Sequence, residues 1–352
     1  MPPPRAAPAP VDSLGPLSPA VEAALPAAAA NCVTDVTLDL GPAAVLHRGK
    51  VRDTYLLPDV AVLVTTDRLS AFDRPLASIP FKGAVLNQTS AWWMANTDDI
   101  VPNALLAVPD ACATVMTRCT VFPVEFVVRG YLTGSTSTSL WTHYSAGERE
   151  YCGNAFPDGL VKNQRLPTNV VTPTTKADDH DEPISPADIV ARGLMTQSQW
   201  DDVAAAALKL FARGQAVAAS RGLILVDTKY EFGVDATGRI LLIDEVHTPD
   251  SSRYWLADSY DERTAAGLEP QSIDKEFIRL WFKDRCDPYN DAVLPDAPPD
   301  LVAELARRYV LLYEKITGLP FGVPGGAEGS GEPAGERVAR NVRTCLQEIG
   351  VL

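Results

Sequence analysis

The chain has 352 residues, 46% apolar and 22% charged, with a formal net charge of −14. That length supports one large domain or a few subdomains sharing a cleft, and the acidic balance argues against a nucleic-acid partner, which needs a basic stripe. No run of about 18 apolar residues is present, so neither a membrane span nor a membrane partner is expected.

Residues 1–38, rich in Pro and Ala, read as a flexible tail with one short helix around Ala20–Ala30. No secretory signal is expected there, because only Arg5 is basic early on and no continuous apolar region follows. The stretch AAVLHRGKVRDTYLLPDVAVLVTTD has short apolar runs broken at Arg48-Gly49-Lys50 and Leu57-Pro58-Asp59, the pattern of an antiparallel meander. Ala84–Asn96, with Trp92-Trp93, reads as a helix. ATVMTRCTV and VEFVVRGY read as strands and Thr136–Ser145 as a short helix. Leu166–Pro186, dotted with Thr and Pro, reads as a long ordered loop of the functional kind. Thr196–Arg221 is an amphipathic helix, and RGLILVDTKYEFGVDATGRILLIDEV a β-hairpin. Helices follow at Asp274–Lys283, Asp300–Thr317 and Glu336–Ile349, interrupted by a Gly/Pro/Glu-rich flexible loop, Gly322–Gly335.

Strands first and helices later, without βαβ alternation, define an α+β protein. The expected division is a tail (1–38), an N-terminal β-rich lobe (39–120), a central α+β lobe (121–270) and a C-terminal helical region (271–352). The cysteines (Cys32, Cys112, Cys119, Cys152, Cys286, Cys345) have no CxxC or zinc spacing and read as reduced thiols. A cytoplasmic protein acting on small molecules is expected, as a monomer or a small homo-oligomer.

With the hairpin turn centred on Thr237-Gly238, paired residues sum to 475 and Glu231 faces Asp244. Side-chain alternation then puts Asp227, Lys229, Glu231 and Asp244 on one face, and Tyr230, Phe232, Leu241 and Ile243 on the other. Opposed carboxylates roughly 5 Å apart repel, and a hard divalent cation such as Mg²⁺ relieves that. The other reading is a solvated face neutralised by Lys229. Asp250, Ser251, Ser252 and Arg253, just past the strand, form either an anion grip or an ordinary Asx/Ser turn.

There is no GxxxxGK[ST] motif. Arg48-Gly49-Lys50-Val51-Arg52 is either a phosphate flap, built from backbone amides and Lys50, or a plain hairpin turn. After VEFVVRGY, Arg129 and a helix start near Ser135 offer a second phosphate site, or a simple strand–turn–helix with Ser135 as N-cap. Asp67, Arg68, Asp73 and Arg74 in TTDRLSAFDRP read as a paired polar loop.

Taken in order, GKVRDTY, TTDRLSAFD, PVEFVVRGYLTGS, TPTTKADDHDEPIS, LVDTKYEFG and IDEVHTPDSSRYW resemble phosphoribosylaminoimidazole-succinocarboxamide synthase (SAICAR synthetase). The long central loop is similar to that of yeast-type members, although RLPTNVV before it departs from the acidic, proline-containing approach expected. The resemblance implies a ligase of purine biosynthesis. Such an enzyme condenses 5-aminoimidazole-4-carboxylate ribotide (CAIR) with L-aspartate, using ATP and Mg²⁺, to give SAICAR, ADP and phosphate. It also implies an ATP cleft between the N-terminal β lobe and the larger lobe, distantly like kinases and ATP-grasp enzymes.

Carried onto this sequence, the resemblance puts Gly49, Lys50 and Arg52 at the ATP phosphates, with Lys229 and Glu231 at nucleotide and metal and Asp244 as second metal ligand. Arg129, Ser135, Asp227, Asp250, Ser252 and Arg253 face the ribotide. Lys176, His180 and Asp181 help seat aspartate. Lys50, Lys229 and Asp227 are the expected catalytic groups. No Ser/His or Cys/His nucleophile is needed, because ATP activates the carboxylate as an acyl phosphate. The rivals are another ATP-dependent carboxylate–amine ligase, a kinase-like phosphotransferase, and a non-catalytic nucleotide-binding regulator.

Overall fold

The computed structural model describes residues 14–72, 74–176, 182–326 and 332–352. The N-terminal segment carries α1 (Pro19–Ala30), capped by the Ser18 hydroxyl on the Val21 amide. Residues 14–38 are not a free tail. Leu17, Val21, Val33, Val36 and Leu38 are buried in the main core. Composition misled here because sparse apolar anchors are enough to dock a chain that otherwise reads as disordered.

The N-terminal sheet follows as β1 (Val45–Arg48), β2 (Arg52–Leu56) and β3 (Val60–Thr65). A separate hairpin of β4 (Arg68–Ala71) and β5 (Arg74–Ser78) leads into α2 (Lys82–Ala95), after which β6 (Leu105–Asp110) and β7 (Ala113–Thr117) complete the antiparallel order β1-β2-β3-β7-β6. Buried on both faces, β3 is a continuous apolar run; α2 packs against it.

Next come β8 (Thr120–Val121), β9 (Val124–Tyr131), α3 (Leu140–Ser145), β10 (Glu150–Tyr151), β11 (Asn154–Ala155), β12 (Arg165–Val171) and β13 (Thr174–Thr175). The segment expected as one long loop is therefore part strand, in β12 and at Thr174-Thr175. Both β12 and β13 hydrogen-bond to β9, and the Val/Thr-rich RLPTNVV suits a pleated edge. His180 and Asp181 lie outside the described residues. The helix expected from Thr136 starts later, at Leu140, with Ser139 as N-cap.

After α4 (Pro186–Ala191), α5 (Gln197–Ser220) opens with a reciprocal Thr196/Gln199 capping box. Its buried Trp200, Val203, Ala207, Leu210, Phe211, Gly214 and Ala218 recur at helical spacing and cover one face of the second sheet. That sheet is organised on β14 (Leu223–Val234), with β15 (Ile240–Ile243) and β16 (Ser252–Leu256) as partners. α6 (Tyr260–Ala265), α7 (Glu276–Lys283), α8 (Pro299–Thr317) and α9 (Ala334–Glu348) finish the chain. α9 returns to β6, where Arg337 pairs with Asp110 at 3.0 Å, and Asn31 Oδ1 accepts from the Ala334 amide at 3.1 Å.

Tyr55 fastens the N-terminal segment to the first sheet. Its hydroxyl donates to the Val36 carbonyl at 2.6 Å and accepts from the Leu38 amide at 3.2 Å, all buried. Tyr55→Phe strands both backbone groups and should lower unfolding free energy by about 1–3 kcal/mol in urea melts. A change within about 0.3 kcal/mol would mean that the segment is not docked in solution.

Candidate active site

Every predicted site residue among the described ones can be placed relative to β14. Alternation sends Thr228, Tyr230 and Phe232 towards the core beneath α5, and Asp227, Lys229 and Glu231 to the opposite face. Asp227 pairs with Arg129 on β9 and with Arg253 on β16, so three adjacent strands carry an Arg–Asp–Arg row. Asp227 Oδ2 lies 2.5 Å from Arg253 Nη1 and 3.6 Å from Arg129 Nη1. The Arg129 guanidinium also donates to the Thr172 hydroxyl and the Thr138 carbonyl, at 2.7 and 3.1 Å. Ser252 Oγ sits 2.7 Å from Thr228 Oγ1.

One step along the strand, Lys229 Nζ lies 2.5 Å from Glu231 Oε1, 2.9 Å from Glu125 Oε1 and 3.7 Å from Asp244 Oδ2. Lys176 Nζ takes the other Glu231 oxygen. Burial works against the Lys229 ammonium, but Glu231 and Glu125 outweigh it and hold its pKa above the ordinary lysine value. Burial likewise pushes Glu231 up, and Lys229 and Lys176 overcome it, leaving the carboxyl at about 2. Lys229 is therefore a fixed cation and Glu231 a fixed anion.

The expected register is one residue off. Glu231 pairs with Ile243, Val234 pairs with Ile240, and paired numbers sum to 474. The turn is a three-residue loop, Ala236-Thr237-Gly238, with Gly238 left-handed at φ +88°. The Asp235 carboxylate accepts the Thr237 and Arg239 amides, which stabilises that loop. Leu241 and Ile243 thus belong to the Glu231 face. Asp244 still reaches Lys229 because β15 ends before it and its own backbone is left-handed, φ +62°. Arg52 ion-pairs with Asp244 and, at 3.3 Å, with Glu245.

Beside the Arg–Asp–Arg row opens a cavity of about 150 Å³, lined among others by Thr138, Ser139, Ser251, Lys275 and Arg279. Five cations (Arg129, Lys229, Arg253, Lys275, Arg279) against three carboxylates (Asp227, Asp250, Asp274) make it locally basic in an acidic protein. Asp250 also lines it, but its oxygens are bound by Lys82 at 3.0 Å and by the Tyr309 hydroxyl at 2.6 Å. Burial raises the Asp250 carboxyl, and Lys275 and Lys82 more than reverse this. Ser135 is exposed and is not part of the cavity lining; it bonds to Glu276 and Lys283 of α7. Gly49 and Lys50 occupy the exposed turn between β1 and β2. Among the described residues no group of three or more His, Cys, Asp or Glu side chains converges as a metal site.

Sequence reading missed Glu125, Thr138, Ser139, Lys275 and Arg279. Glu125 was recoverable, since it shares a strand face with Val127 and Arg129. Lys275 and Arg279 carry no local signal, because α7 meets the cavity only through tertiary packing.

A basic cavity abutting a part-buried Lys–carboxylate cluster is the arrangement of an enzyme site suited to an anionic small molecule. Residues 45–295 match the SAICAR synthetase family. The chain is 62% identical to the phosphoribosylaminoimidazole-succinocarboxamide synthase of Legionella pneumophila (strain Paris) over 290 residues, covering 82% of this chain and 92% of that one. It is also 62% identical over 290 residues to the Arabidopsis thaliana chloroplastic synthase, covering 82% of this chain and 71% of that one. The solved Saccharomyces cerevisiae SAICAR synthase complexed with SAICAR superposes with a TM-score of 0.69 at 32% identity, covering 82% and 99%. The chain belongs to the SAICAR synthetase family, the ligases that join CAIR to L-aspartate in purine biosynthesis.

The histidine of EVHTPD is not an acid–base group. His247 is fully buried, stacks edge-on against Trp93 at 4.5 Å, and takes the Tyr230 hydroxyl on Nε2. Burial pushes its pKa down to about 3. Below the unfolded value of about 6.5 the unfolded state binds the extra proton, so stability is full above pH 6.5 and falls towards pH 3. The stability gap between wild type and His247→Gln should narrow by up to about 1.4 kcal/mol per pH unit between pH 6 and 4. Parallel curves across that window would exclude a buried neutral His247.

Proposed function

We propose that the two ends of the β14 polar face divide the ligation between them. The Arg129–Asp227–Arg253 end, with Lys275, Arg279 and the hydroxyls of Thr138, Ser139 and Ser252, takes the ribotide phosphate and carboxylate. The Lys229–Glu231–Asp244 end, linked to β2 by Arg52, takes the ATP phosphates together with the Gly49–Lys50 turn. The observation that carries this is the basic cavity set against a part-buried Lys–carboxylate cluster in an otherwise acidic chain.

A carboxylate is a poor electrophile. In the proposed route the γ-phosphoryl group passes to a carboxylate oxygen of CAIR and ADP departs. The aspartate amine then attacks the acyl carbon, loses a proton, and expels phosphate. Lys229, held charged by its carboxylates, and Lys50 offset the negative charge that develops on the transferring phosphoryl. Arg253 and Arg129 orient the ribotide, and Asp227 fixes both guanidiniums. Lys176, which pairs with Glu231 in this structure, would turn to a carboxylate of aspartate.

The donor set suits a hard divalent cation. Glu231 and Asp244 offer carboxylate oxygens, both adjoin Lys229, and each is held in this structure by a second cation of the chain, Lys176 or Arg52. Glu231 and Asp244 would hold Mg²⁺, which when bound neutralises phosphate charge. The proposal includes a cytoplasmic location. Six unpaired cysteines suit a reducing compartment, and among the described residues no helix is long and apolar enough to cross a membrane.

Omitting ATP, CAIR or aspartate in turn from a coupled ADP assay should abolish turnover each time. ADP release at an undiminished rate without aspartate would turn the reading towards a phosphotransferase. Asp244→Asn should lower kcat by about 10²–10³-fold with its melting temperature retained, whereas near-normal turnover would remove Asp244 from the reaction centre.

A further inference from the structure

Arg68 stands at the start of β4, outside the five-stranded sheet, yet its guanidinium reaches into the β1–β2 turn. Nη2 donates to the Gly49 carbonyl at 3.0 Å and Nε to the Lys50 carbonyl at 3.3 Å. Nη2 also meets Asp53 Oδ1 at 2.6 Å, and Nη1 the carbonyl of Thr34. Asp53 is fully buried and Arg68 about one-quarter exposed, 23%. The next carbonyl, that of Val51, accepts from the Thr66 amide at 3.0 Å and the Thr66 hydroxyl at 2.7 Å. Three successive carbonyls of the turn are thus held by Thr66, between β3 and β4, and by Arg68 at the start of β4.

The consequence follows from peptide planarity. In a trans peptide the C=O of one residue and the N–H of the next point in opposite directions. With the Gly49 and Lys50 carbonyls drawn to Arg68, the amides of Lys50 and Val51 face away from it. Successive amides on one side of a turn form an anion-binding concavity. Gly49 permits the tight path. Its amide bonds to the Arg52 carbonyl at 2.8 Å, and a Cβ there would lie 2.6 Å from that oxygen. The Thr34 contact extends the clamp to the N-terminal segment, which lies outside the 45–295 family match, and Asp35 adds an ion pair to Arg48 at 2.8 Å.

We propose that Arg68 is a positioning residue for the nucleotide: it holds the carbonyl side of the Gly49–Val51 turn, so that the amides and Lys50 present one preformed surface to a polyphosphate. This rests on the reading that ATP phosphates lie at that turn. Arg68 itself touches no substrate. Its effect should appear in the phosphate-dependent part of nucleotide affinity and not in adenosine or ribotide binding.

The test is calorimetric binding of adenosine, ADP and SAICAR to wild type, Arg68→Gln and Lys50→Ala. Arg68→Gln should weaken ADP roughly tenfold or more through lost preorganisation, with adenosine and SAICAR affinities shifted by less than about twofold. If Arg68→Gln does not fold, the double variant Arg68→Met with Asp53→Asn removes both charges without stranding a buried carboxylate, and is read the same way. Equal losses for adenosine and ADP would reduce Arg68 to a structural role and overturn the inference. Unchanged ADP affinity in the Arg68 variants, beside a clear loss in Lys50→Ala, would overturn it while leaving the turn as the phosphate site. An unaltered ADP affinity in Lys50→Ala would remove the phosphate site from the turn, and the inference with it.

Discussion

The pairing of β14 with strands on both sides is the constraint on which the active site depends. Its first half is bracketed by β9 and β16, and its second half meets β15 and β8. Strand alternation then leaves no freedom. With Tyr230 and Phe232 locked under α5, Asp227, Lys229 and Glu231 must face outward, Asp227 between Arg129 and Arg253. A one-residue slip of β14 would turn three charges into the apolar core under α5 and two aromatic rings onto the polar face, so the apolar core holds the site in register.

The polar face works because its charges are mutually compensated. Desolvation opposes each of Lys229, Glu231 and Arg253, and in each case the neighbours more than reverse it. Removing one member leaves an unpaired buried charge, which is more damaging than the pair is stabilising. The same pairing lets an acidic protein keep a basic cavity, because the surplus cations there come from β9, β14, β16 and the N-cap and body of α7.

The loops around the face are fixed by buried polar anchors of their own. Asp67 accepts the Val33 amide at 2.7 Å and the Gly83 amide at 2.8 Å, and burial raises its carboxyl to about 6 in spite of them. Asp250, gripped by Lys82 and Tyr309, sets the path of the Pro249–Arg253 segment, and His247 seats the start of that loop against Trp93 and Tyr230. Arg68 plays the corresponding part beneath the Gly49–Lys50 turn. In each case a buried or part-buried polar group trades hydration for directed contacts, which makes a loop behave as part of the scaffold.

By itself the sequence determined what depends on local order. Period-two alternation in LVDTKYEF sorted Asp227, Lys229 and Glu231 onto one face, amphipathic spacing defined α5, and the ordered motifs pointed to the SAICAR synthetase family. Other features were decided only in three dimensions. The turn holds three residues because the Asp235 carboxylate binds its amides, and that moved the register by one. Asp244 reaches the cluster through a left-handed backbone that no pattern announces. RLPTNVV became strand because β9 offered an edge, and residues 14–38 found a core that composition could not show. Lys275, the N-cap of α7, and Arg279 within it come from far beyond β14 in the chain. Alternation and capping are properties of neighbours in the chain. Loop conformation, edge pairing and helix docking are set by contacts between distant residues, whose free energy appears only when the chain has closed on itself.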